Sequence, residues 1–143
     1  LYFKMPKKQF NQWTLALLRV VLGIIFSYHG YLKLFIAGGL PGTAGFFAQV
    51  GIPMANYAAV VVAFAEFFGG LFLLLGMVTK WTALVLIFEM LIAFFMAHLK
   101  NGLLVSKNGY EFVLLILAGL VVVLVNGAGS FSFGKLFKSK NLQ

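Results

Sequence analysis

The residues of this sequence that could do chemistry fall inside its long apolar runs rather than between them. They are the chain's three carboxylates, Glu66, Glu89 and Glu111, its two histidines, His29 and His98, and the cations Arg19 and Lys33. A charge at the centre of a bilayer costs at least about 2.5–3.5 kcal/mol on insertion scales, so buried partners or a function are the default explanation. Carboxylates beside imidazoles can hold and relay protons, and either group can hydrogen-bond the oxygen of a bound molecule. His29 and Lys33 lie one helical turn apart and therefore share a face.

The elements that must position these groups follow from hydropathy. The composition is 62% hydrophobic and 10% charged, against roughly 45–50% and 25% for soluble domains. Four apolar spans are expected, at about residues 13–35, 57–77, 81–99 and 110–125, each opening on an interfacial aromatic: Trp13, Tyr57, Trp81 and Tyr110. The fold expected is an all-α, polytopic membrane four-helix bundle. The connection at 37–56 is too apolar for an ordinary loop, yet Gly38, Gly39, Pro41, Gly42, Gly51 and Pro53 forbid one continuous helix. A two-turn interfacial or re-entrant helix over 43–50 fits, capped by Thr43 and stopped by Gly51.

The transmembrane domain is expected over 13–126, between an N-terminal segment at 1–12, whose first four residues resemble a tag remnant, and a basic tail at 127–143. Basic residues outside the spans gather on one side (Lys7, Lys8, Lys80, Lys135, Lys138, Lys140) against Lys100 and Lys107 on the other. This charge bias places the protein in the cell membrane with both termini cytoplasmic. The net charge of +8 therefore reads as topology and headgroup contact with the lipid bilayer, and not as a nucleic-acid surface. Absence of cysteine excludes disulfides, thiolate nucleophiles and iron–sulfur ligation by this chain.

Depth follows from a rise of about 1.5 Å per residue. His29 and His98 come out about 24 and 25 Å from the cytoplasmic starts of the first and third spans, at one level. With Lys33 and Glu111 they would form an outer mouth. Glu66 and Glu89 approach mid-membrane, where Arg19 can reach either and form an ion pair. Phe26, Phe35, Phe46 and Phe47 could line an apolar slot, and Gly69-Gly70, one turn from Glu66, leaves space for a ligand or a close helix. Plainer readings stand beside these: Lys33 snorkelling to headgroups, Glu111 favoured by its helix dipole, Arg19 snorkelling inward, the two mid-membrane glutamates orienting helices, the histidines satisfied at the interface, and the glycines simply packing.

In order along the chain, Leu18-Arg19-Val20-Val21-Leu22-Gly23, His29-Gly30-Tyr31-Leu32-Lys33-Leu34-Phe35, Gly42-Thr43-Ala44-Gly45-Phe46-Phe47, Gly51-Ile52-Pro53, Glu66-Phe67-Phe68-Gly69-Gly70, His98, Asn101-Gly102 and Gly109-Tyr110-Glu111 resemble the DoxX family of small four-helix membrane proteins. The resemblance implies the fold more closely than the reaction. It is similar to subunits of a thiosulfate:quinone oxidoreductase and to components linked to quinone, catechol or oxidative-stress handling, and more distantly to cargo receptors and assembly chaperones.

The leading functional expectation is an oxidoreductase component that binds a quinone or quinone-like aromatic in the outer half of the bundle. His29 and His98 would donate hydrogen bonds, and Glu66, Glu89 and Glu111 would relay protons. Electrons would require a partner subunit or a further cofactor. The leading reading needs no metal. The alternatives are a haem b between His29 and His98, or a zinc ion on His29, His98 and Glu111. A non-enzymatic binder, a transporter, an assembly chaperone or a homo-oligomer are the other outcomes.

Overall fold

The structure is a computed structural model that describes residues 7–129 and 132–133, with side chains from residue 11 onward. The tag-like residues 1–4 and most of the basic tail, its three lysines included, lie outside the described residues. Among those described, every regular element is helical: α1 (Lys7–Phe35), α2 (Gly39–Gln49), α3 (Ala55–Leu75), α4 (Thr79–Ile92) and α5 (Glu111–Asn126). Beyond Ile92, α4 continues as a π-helical turn, Ala93–His98, and then a 3-10 turn, Leu99–Asn101.

Asn11–Phe35, Ala55–Leu75 and Thr79–Asn101 are long and apolar enough to cross a membrane. The 16 residues of α5 are equally apolar but span about 24 Å, short of a hydrocarbon core of roughly 30 Å. Leu17, Val61, Phe88 and Leu115 are each about two-thirds exposed on the outer faces, a surface suited to lipid rather than water.

The long helices alternate in direction, which brings both ends of the bundle's chain to one side and α2 to the other. Glycine sets the α1–α3 contact. A Cβ on Gly30 would fall on the backbone of Phe67, and one on Gly70 would fall on Ser27 of α1. Gly23, Ser27 and Gly30 form the small-residue stripe that permits this approach.

The α2 helix begins earlier than expected, at Gly39 rather than near Thr43. Pro41 is accommodated because the first turn of a helix needs no backbone N–H donors. Thr43 is no cap: its hydroxyl donates to the Gly39 carbonyl at 2.8 Å. Gly51, at φ 85°, ends the segment, with the Ile52 N–H reaching back to the Phe47 carbonyl at 2.9 Å, as in a Schellman stop.

The bundle is solid at the terminal side and hollow at the α2 side. Leu22, Leu73, Leu86, Leu120 and Val123 fill the solid half and are almost wholly buried. Toward α2 the packing gives way at Phe26, Met90, Val113 and Ile116, core residues that also floor a cavity.

Candidate functional site

That cavity has a volume of about 920 Å³, at the upper end of the roughly 300–1,000 Å³ typical of small-molecule sites. Its walls are mostly apolar. The first helix contributes Ile25, Phe26, His29 and Lys33, while α2 covers the cavity with Gly42, Thr43, Phe46 and Phe47. Glu66 comes from α3, Glu89 from α4 and His98 from the π-helical turn; Phe112, Val113 and Ile116 of α5 close the far side. Val61, Val85 and Phe88 line the cavity yet are more than half exposed on the surfaces of α3 and α4. The cavity lining therefore reaches the outer surfaces of those two helices.

Lys33 turns inward and forms an ion pair with Glu66 Oε2. Its side chain is 18% exposed and that of Glu66 7%, so both charges are largely withdrawn from solvent and each depends on the other. Glu89 lies beside Glu66, within electrostatic reach of it and of Lys33. The Glu89 Oε2 oxygen is buried without a hydrogen-bond partner among the described residues.

His98 is oriented from behind. Its Nδ1–H donates to the Asn108 carbonyl at 2.9 Å, and Asn101 Nδ2 donates to the same carbonyl at 3.1 Å and to that of Ala97 at 3.0 Å. With Nδ1 engaged, Nε2 is the ring nitrogen left for another partner. Asn108 adopts a left-handed conformation (φ 59°), which asparagine tolerates better than most residues. His29, on the same cavity wall as Lys33, is an exposed residue.

Other expected site residues are placed elsewhere. Arg19 does not reach the glutamates: its guanidinium packs against Gly76 and Ser132, near the opposite end of α3 and about 15 Å along the helix from Glu66. Lys33 takes the ion-pair role because the α1–α3 register, with Gly30 against Phe67 and Gly70 against Ser27, sets it near the level of Glu66. Glu111 lies outside the cavity lining. Its Oε1 accepts the Val105 N–H at 2.6 Å and so clips the loop before α5, where the helix N-terminus also favours a carboxylate.

Phe35 is 60% exposed and packs its ring on Tyr31 and Phe67. Gly69 faces Leu86 and Thr82 of α4, and Gly70 faces α1, so both are packing glycines. Among the described residues no three His, Asp or Glu side chains group as a metal set, which removes the geometry a zinc ion on His29, His98 and Glu111 would need. Thr43, Tyr57 and Asn108 also line the cavity and were not assigned to the site from sequence. The Asn101-Gly102 and Asn108-Gly109 turn dipeptides were the available signal for Asn108.

An all-helical membrane bundle, hollow on one side and carrying an ion pair and a further carboxyl in the lining of that hollow, is the class of protein the fold and site define. The DoxX family model matches residues 14–99, and the chain belongs to the DoxX family. It is 32% identical over 136 residues to an uncharacterized protein of Haemophilus influenzae, covering 93% of this chain and 97% of that one. It is 32% identical over 109 residues to "Putative oxidoreductase CatD" of Bacillus subtilis, covering 76% of each chain. It is 29% identical over 127 residues to "Inner membrane protein YqjF" of Escherichia coli, covering 85% of this chain and 90% of the relative. No solved structure matches.

Proposed function

We propose that this membrane protein binds a quinone or a quinone-like small aromatic in the cavity between α1, α3, α4 and α5, as one component of an oxidoreductase. The observation that carries the reading is the cavity itself: apolar walls about a few convergent polar groups, the Lys33–Glu66 ion pair, Glu89, His29 and His98. Such a ring needs an apolar slot, hydrogen-bonding groups at its carbonyl oxygens and a path for protons, and these residue types supply all three. A lining that reaches the lipid-facing surfaces of α3 and α4 suits a molecule that partitions into lipid. The oxidoreductase name of the Bacillus subtilis relative points the same way.

In this reading the chain supplies the binding site and proton-carrying groups, and a partner subunit or a second cofactor supplies electrons. The charge bias of the loops supports an orientation with α2 and the cavity in the outer half of the membrane. The test is a titration of purified protein in nanodiscs with decylubiquinone, followed by tryptophan fluorescence or calorimetry. Saturable binding is expected, lost when Phe26 is replaced by Trp to fill the floor. Non-saturable partitioning, equal in empty nanodiscs, would end this reading.

A further inference from the structure

The cavity lining holds two carboxyls and one cation. Lys33 is committed to Glu66 through their ion pair. Glu89 lies beside that pair with its Oε2 buried and unpartnered among the described residues. The remaining titratable groups on the cavity walls are His29 on α1, Tyr57 on α3 and His98 beyond α4; the lining residues from α2 and α5 carry no charge.

A second carboxylate ionised here would face Glu66 with no cation of its own, in surroundings of low polarity where like charges repel strongly. Holding one proton removes that conflict and turns Glu89 into an O–H donor. We propose that Glu89 rests in its acid form and donates a hydrogen bond to the ligand, so that the cavity selects a neutral, apolar molecule bearing an acceptor oxygen and rejects carboxylates and other anions. The second half of this statement rests on the ligand reading given above; the proton on Glu89 does not.

Two measurements separate the halves. Infrared spectroscopy of ligand-free protein in nanodiscs at neutral pH is expected to show the carbonyl stretch of a protonated carboxyl, absent from Glu89→Gln and retained in Glu111→Gln. No such band, or a band that persists unchanged in Glu89→Gln, would overturn the assignment.

For decylubiquinone, Glu89→Gln, whose amide can still donate, is expected to bind within about threefold of the parent, whereas Glu89→Leu loses about tenfold, the value of one hydrogen bond. Binding to the parent is expected to weaken as pH rises and Glu89 gives up its proton, and to stay flat in Glu89→Gln. Equal affinities of the Gln and Leu variants would overturn the donor role. An infrared band as expected together with no quinone binding would overturn the ligand half and leave the proton in place.

Discussion

Removing the ammonium of Lys33 should destabilise the bundle far more than loss of a surface charge. Exposed ion pairs contribute about 0–1 kcal/mol, whereas breaking a buried pair from one side costs about 3–5 kcal/mol because the other charge is stranded. Glu66 is only 7% exposed at the side chain, but Lys33, at 18%, keeps some solvent contact. Lys33→Met is therefore expected at about 2–3 kcal/mol, between those limits. Glu66→Gln in the Lys33→Met background removes the stranded charge and should recover most of the loss, leaving the double variant within about 1 kcal/mol of the parent. Unfolding of the four proteins in mixed micelles by increasing denaturing detergent gives the cycle. A coupling of about 2 kcal/mol is expected; single-variant losses that add within about 0.5 kcal/mol would refute the ion pair as a stability element.

Neighbouring glycines should behave oppositely: Gly70→Ala meets Ser27 of the adjacent helix and should cost about 2 kcal/mol or prevent folding, while Gly69→Ala, whose Cβ would have ordinary contacts with movable side chains, should stay within about 1 kcal/mol on the same unfolding assay. Gly45→Ala on α2 has open space around it and should stabilise by about 0.5 kcal/mol through helix propensity alone. Glu111→Gln weakens the clip onto Val105 and should cost about 1 kcal/mol in unfolding without changing quinone affinity. Because the sequence lacks cysteine, single cysteines report sidedness cleanly: Ser106→Cys should react with an impermeant maleimide on intact cells, and Lys80→Cys only after permeabilisation.

The spans were legible in the sequence; the register and rotation of one helix against another were not. Counting residues along straight helices put His29 and His98 at one level and Lys33 a turn further on, and all three line the cavity. Which way a side chain faces depends on helix rotation, and helices apolar all round carry almost no pattern to fix it. Arg19 and Lys33 lie on nearly the same face of α1 but about 21 Å apart along it, and the register set by Gly30 on Phe67 and Gly70 on Ser27 brings Lys33 to the level of Glu66 and Arg19 to that of Gly76. The same ambiguity assigned Phe35 to the slot and Gly69-Gly70 to a ligand. The start of α2 was obscured by Pro41, a helix breaker in most positions but harmless in a first turn. The π-helical turn that carries His98 has no sequence signature, since it depends on how α4 meets the loop before α5.

The most direct test of the cavity as a binding site is photolabelling in native membranes with an azido-quinone, followed by peptide mapping. Labelling confined to the α1 segment around His29, the α3 segment around Glu66 and the α4 segment from Val85 to His98, and competed by unlabelled decylubiquinone, is the predicted result. Labels spread over lipid-facing residues such as Leu17 and Leu115, unchanged by competitor, would contradict it.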